Sequence, residues 1–169
     1  MKIVVIKYNA GNIRSVQIAL ERQGVFPVIS DDPEVILSAD KIIFPGVGEA
    51  SSAMAYLTTR NLDRVIADAR QSFLGICLGM QLMCSHSEEN DTTCLGIFDE
   101  NVRKFSTQDK SIKIPQIGWN SIANLKSPLF EGIHENSYCY FVHSYFASIG
   151  KHTIAQTHYC GEYLSLIHI

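Results

Sequence analysis

Gly75-Ile76-Cys77-Leu78-Gly79 is the stretch of this chain best suited to do chemistry, because it sets glycines two residues before and two after a cysteine. Small residues at that spacing allow the sharp strand-to-helix turn that thrusts a nucleophilic side chain outward. Met80, Gln81, Leu82 and Met83 are good helix formers, so the pattern predicts Cys77 at a helix N-terminus. There the unpaired N–H groups and the helix dipole are expected to favour the thiolate and lower the thiol pKa. The N–H of Leu78, directly after the cysteine, is a candidate oxyanion donor. Against this stands the commoner habit of cysteine, which is to pack inertly inside an apolar strand. Any one feature is weak; the three together favour a nucleophile.

A second segment, "IIFPGVGEA", runs an apolar strand into Pro45-Gly46-Val47-Gly48. Alone it reads as a plain glycine turn. At the carboxyl edge of a parallel sheet, where open α/β folds carry their sites, Val47 and Gly48 become candidates for a second oxyanion donor.

The elements around these two segments alternate. "KIVVI", "VFPVIS", "KIIF" and "FLGI" are short apolar, β-rich runs, the pattern of strands buried on both faces. Between them lie helical stretches: one after Asn12, a short one at "DDPEVIL" with Pro33 in its first turn, and two over roughly 50–58 and 62–71. Another helix is expected through "LGMQLMCSHS". This order predicts an α/β fold, a mostly parallel sheet with helices on both faces. After about Thr93 the texture changes to strands joined by polar loops, so the second half is β-rich. No repeat or linker divides the 169 residues, which suit one domain.

Composition narrows the class further. A hydrophobic content of 46%, a charged content of 18% and a net charge of −3 describe an ordinary globular protein. They leave no electrostatic footprint for nucleic acid or an anionic membrane. No apolar stretch reaches the length of a membrane span, and a cytoplasmic location is expected. The five cysteines are odd in number and scattered, which suits reduced thiols, and no four of the Cys and His residues are spaced as a zinc site. No metal and no cofactor is expected.

"GICLGMQLM" resembles the nucleophile segment of class I glutamine amidotransferases, the triad glutaminases. "YNAGNIRSV", "FPGVGEA", "PQIGWN" and "YFVHSY" are similar, in order, to the glutaminase subunits of imidazole glycerol phosphate synthases. The resemblance implies a flavodoxin-like sheet and hydrolysis of the glutamine side-chain amide. Cys77 would be the nucleophile, with oxyanion donors at Val47, Gly48 and Leu78, and Gln81, Ser144 and Tyr145 would seat the substrate. The ammonia would pass to a (β/α)₈-barrel cyclase subunit in a heterodimer of histidine biosynthesis. Asn12 and Trp119 match the docking face, although a partly buried core aromatic is an equally good reading of Trp119.

The resemblance runs to about Tyr163. Family members complete the triad with a His-Pro-Glu segment, and none of the six histidines here is followed by Pro-Glu. The expectation is an incomplete amidotransferase domain over 1–163, with "LSLIHI" (164–169) as an anomalous tail and the final elements missing. His143 matches a position near the glutamine pocket but not the base, and His168 in the tail reads as an exposed terminal residue. Little glutaminase turnover and exposed apolar sheet surface are then expected. Two other readings stay open: a non-catalytic glutaminase-like docking or regulatory module, and another cysteine hydrolase of doubly wound fold. Glutamine-blocked labelling of Cys77 favours the glutaminase. Absent labelling favours the module, and glutamine-indifferent labelling favours the other hydrolase.

Overall fold

The computed structural model describes residues 1–167. Its first half is built from β1 (Ile3–Ile6), α1 (Ile13–Glu21), β2 (Val28–Ser30), α2 (Pro33–Leu37), β3 (Lys41–Phe44), α3 (Ala50–Thr59), α4 (Leu62–Asp68), β4 (Ser72–Gly75) and α5 (Leu78–Leu82). The four strands form a parallel sheet in the order β2-β1-β3-β4, in register at Val4↔Val28, Val4↔Ile42 and Ile42↔Phe73.

Strand side chains alternate between faces, and both faces are apolar. Val4, Ile6, Ile42, Phe44 and Phe73 enter the main core with Ile36, Leu57, Leu62 and Ile66 from α2, α3 and α4. Ile3, Val5 and Ile43 point the other way, against Ile13, Val16 and Leu20 of α1. Each fully buried Val, Ile or Phe contributes about 1.5–3 kcal/mol, so this two-sided burial fixes the register. The fold is the expected α/β class with helices on both faces. Asn12 caps α1 by accepting from the Ser15 N–H at 3.3 Å, and Asp32 caps α2 ahead of Pro33.

The second half adds β5 (His86–Ser87), β6 (Thr92–Thr93), β7 (Asn101–Lys104), β8 (Gln116–Ser121), β9 (Tyr138–His143), β10 (Tyr145–Ala147), β11 (Thr153–His158) and β12 (Glu162–Ile167). Six of these make a mixed sheet ordered β11-β12-β10-β7-β5-β6, and β8 pairs with β9 antiparallel from Gln116↔His143 to Ser121↔Tyr138. The backbone of 164–167, read from sequence as a separate tail, lies within β12, while His168 lies outside the described residues. The helix expected through "LGMQLMCSHS" stops at Leu82. Its successor residues turn back instead, with Gly96 donating to the Cys84 carbonyl and Ser85 to that of Glu100, and His86 begins a strand.

The carboxyl ends of β1, β3 and β4 share one edge. Tyr8, Pro45–Gly48 and Cys77 follow those three adjacent strands, and the topology thereby converges them.

Candidate active site

Cys77 sits at φ 53°, ψ −117°, a conformation that side chains other than glycine rarely adopt. The strain is imposed from both sides. Ile76 still donates to the Phe44 carbonyl as an extension of β4, and Gly79 and Gln81 already donate back to Ile76 and Cys77 to open the helix. One residue must absorb the change of direction. The glycines serve close packing: a Cβ on Gly79 would be driven into the Phe44 carbonyl oxygen, and one on Gly75 would lie 2.7 Å from the Met80 Cα and the Met83 sulfur.

The Pro45–Gly48 turn lies directly against the elbow. A Cβ on Gly46 would collide with the Gly79 nitrogen and lie 2.8 Å from the Leu78 Cβ. Gly48 takes φ +102°, which suits glycine. A cavity of about 530 Å³ opens beside the elbow and is lined by Val47, Gly48, Cys77, Leu78, Gln81, Ser144 and Tyr145. Every residue singled out in the sequence for the nucleophile, the oxyanion donors and the substrate thus borders one space. Its far wall holds together because Gln81 Nε2 donates to the Tyr145 carbonyl at 2.8 Å, tying α5 to the break between β9 and β10.

His143 shares that wall, but its ring is committed. Nδ1 donates to the Tyr145 carbonyl at 2.7 Å, which leaves Nε2 to accept from the Tyr163 hydroxyl at 3.3 Å. The same hydroxyl lies 2.9 Å from the Gln116 side-chain oxygen, and turning that amide so its NH₂ faces the phenol satisfies all three groups. Burial lowers the His143 pKa and keeps it neutral. Among the described residues no other histidine lines this cavity.

Glu89 also lines the cavity, on the loop between β5 and β6, and sequence reasoning missed it. Its Oε2 accepts from the Ala50 N–H at 2.8 Å, at the start of α3, beside the Glu49 carboxylate that caps the same helix from Ser51 and Ser52. The only sequence signal was the pair Glu88-Glu89, and a helix continued through Cys84 would have aimed it elsewhere.

The thiol does not behave as expected. Cys77 is exposed to the cavity, yet enough protein surrounds it that desolvation raises its pKa. The Leu78 N–H opposes this by favouring the thiolate, and the Glu89 charge reinforces it. Five helical residues do not outweigh burial. Alkylation of Cys77 by iodoacetamide should therefore rise with pH to a midpoint above that of free cysteine. Glu89→Gln should lower that midpoint and speed the reaction at pH 7; an unchanged profile would contradict the placement of the carboxylate.

Beside the cavity, one face of the β8–β9 pair carries a stripe of large exposed apolar side chains. Ile117, Trp119, Tyr138, Tyr140 and Val142 are each more than half exposed, Trp119 at 70%. Trp119 stands edge-on to Tyr140 at 5.5 Å, so it is no core aromatic, and Tyr140 and Val142 reach the cavity mouth. Asn12 is exposed as well as capping α1.

Residues 8–168 match the model of the family described as glutamine amidotransferase class-I. This chain belongs to the class I glutamine amidotransferases. Within that family it is 52% identical over 168 residues to the imidazole glycerol phosphate synthase subunit HisH of Bacteroides fragilis strain YCH46, covering 99% of this chain and 86% of the relative. The protein of the same name from Vibrio cholerae is 44% identical over 164 residues, covering 93% and 80%. Solved structures agree in fold. A glutamine amidotransferase crystal structure superposes with a TM-score of 0.71 at 15% identity, covering 92% of this chain and 80% of that one. The PurLQS structure from Thermotoga maritima gives 0.63 at 15% identity, covering 99% and 86%. In this amidotransferase, among the described residues, no group of His, Cys, Asp and Glu is placed to hold a metal, and no helix is long and apolar enough to cross a membrane.

Proposed function

We propose that the chain is the glutaminase subunit of an imidazole glycerol phosphate synthase, and that Cys77 attacks the side-chain carboxamide of glutamine. The observation that carries this reading is the strained Cys77 elbow packed against Pro45–Gly48 at one cavity. Sulfur adds to the carboxamide carbon, and the oxygen takes up negative charge. The N–H groups of Leu78 and of the Val47-Gly48 turn are the donors that stabilise it. Ammonia leaves, and water hydrolyses the glutamyl thioester to glutamate. Gln81, Ser144 and Tyr145 border the space for the rest of the amino acid, and the Glu89 carboxylate suits its ammonium group. A group that takes the thiol proton and then, as general acid, gives it to the leaving nitrogen completes the step, and His143 is engaged with Tyr145 and Tyr163 instead.

The test is protection. Glutamine should slow alkylation of Cys77 about tenfold at about ten times its Kd. Protection by unrelated amino acids to the same degree would speak for a different hydrolase.

The partner is proposed to be the barrel-shaped cyclase subunit, docked on the Trp119–Tyr140 stripe and the Asn12 turn, in the cytoplasm. Support comes from the exposure of five large apolar side chains on one face, continuous with the mouth of the cavity from which ammonia leaves. Trp119→Ala should weaken cyclase binding by about 2 kcal/mol or more, as interface tryptophans do. Being exposed, it should change folding stability by less than about 0.5 kcal/mol. Calorimetry with the purified cyclase measures the first, and a melting curve the second.

A further inference from the structure

Tyr8 follows β1 and is only 6% exposed, yet its hydroxyl is not idle. It donates to the Pro45 carbonyl at 2.7 Å, across 37 residues of chain. Its ring packs against Phe44 with centroids 5.2 Å apart, so the phenol is held under the start of the oxyanion turn. The fit is close: a Cβ on Gly46 would lie 2.7 Å from the Tyr8 oxygen. The loop after β1 reaches the same place further along, since a Cβ on Gly11 would lie 3.4 Å from the Pro45 ring.

The carbonyl that Tyr8 holds belongs to the peptide joining Pro45 to Gly46. From there the chain runs through Gly46, Val47 and Gly48, of which two are glycines with low barriers to peptide rotation. An oxyanion donor works by being aimed before charge develops, so a freely rotating turn would be a poor one. Burial raises the Tyr8 pKa, with the field of Cys77 adding to it, so the phenol remains a protonated donor.

We propose that Tyr8 is a positioning residue for the oxyanion turn: its hydroxyl, by holding the Pro45 carbonyl, fixes the Pro45–Gly46 peptide, and with it the direction of the turn whose next two peptides present the Val47 and Gly48 N–H groups to the tetrahedral adduct on Cys77. This rests on the glutaminase reading above.

The test separates a tetrahedral reaction from one that needs no oxyanion. Glutamate γ-semialdehyde, in equilibrium with the cyclic imine that its own amine forms by loss of water, reacts as the open aldehyde: Cys77 sulfur adds to its carbonyl carbon, the C=O π bond opens and the thiol proton passes to oxygen, giving a hemithioacetal. Iodoacetamide forms a C–S bond while the C–I bond breaks and iodide leaves, and its carbonyl stays trigonal. In Tyr8→Phe, which keeps the ring, the aldehyde Kd should rise about tenfold, the order expected for a weakened oxyanion donor. The alkylation rate and its protection by glutamine should stay within about twofold, a change worth only ~0.4 kcal/mol. Phe73→Leu serves as the control for lost core packing: Phe73 stands edge-on to Phe44, is no part of the turn, and its loss should leave aldehyde binding near the wild-type value. Equal aldehyde affinity in Tyr8→Phe and wild type would overturn the proposal. So would a parallel loss of aldehyde binding and alkylation, an equal loss in Phe73→Leu, or a Tyr8→Phe chain that fails to fold. Failure of the wild-type protein to bind the aldehyde in competition with glutamine would overturn the glutaminase reading itself.

Discussion

Gly79→Ala should disable the site more completely than any other single-methyl change. The added Cβ has nowhere to go, because it meets the Phe44 carbonyl oxygen and lies 3.1 Å from the Pro45 carbonyl carbon. Both are backbone atoms at the end of β3, and the Phe44 oxygen already accepts from Ile76. Neither can swing aside as a long side chain would. The helix must therefore lift off the strand, carrying Leu78 and Cys77 away from the Pro45–Gly48 turn. Overpacking of this kind costs about 3 kcal/mol. For a chain of 169 residues that is a fall in melting temperature of roughly 6–12 °C. Glutamine should no longer protect Cys77. Gly24→Ala is the useful contrast: Gly24, unlike Gly79, has positive φ, but its Cβ would meet nothing within 4 Å. It should show only a backbone penalty of about 1 kcal/mol and leave protection intact. A Gly79→Ala protein with wild-type melting and protection would mean that the elbow is not seated on β3.

Cys77→Gly is expected to do the reverse for stability while ending the chemistry. A residue with a side chain at φ 53°, ψ −117° stores about 1–3 kcal/mol, and glycine relieves most of it. Set against the larger entropy glycine loses on folding, the net gain over Cys77→Ala should be about 1 kcal/mol. That is a melting temperature higher by roughly 2–4 °C. Both variants lose all labelling at position 77, so thiol chemistry and backbone strain are read independently. A Cys77→Gly protein that melts below Cys77→Ala would show that the elbow is unstrained.

Much of this architecture was legible from residue order. The four parallel strands are continuous apolar runs, and two-sided burial leaves no other good use for such runs in a chain this length. The elbow was legible because glycine spacing around a cysteine reports close backbone approach, and the collisions at Gly75 and Gly79 are its physical content. What stayed hidden depended on contacts distant in sequence. The helix after Cys77 ended early because Met83 and Cys84 carbonyls are taken by Phe98 and Gly96, bonds that no local pattern announces. That early end is what delivers Glu89 to the cavity. The thiol shift ran opposite to expectation because desolvation by surrounding elements outweighed a short helix. Tyr8 likewise reads as the first residue of a turn after the strand until the Pro45 carbonyl is found above it.

Whether Cys77 is the glutamine-directed nucleophile is decided by peptide-mapped alkylation, followed over time with and without glutamine. Glutamine near ten times its Kd is expected to slow modification of Cys77 about tenfold. Asparagine, one methylene shorter, should protect far less, and the other four cysteines should react at rates indifferent to either amino acid. Modification of Cys77 at the same rate in buffer, glutamine and asparagine would show that the cavity at the elbow is not a glutamine site.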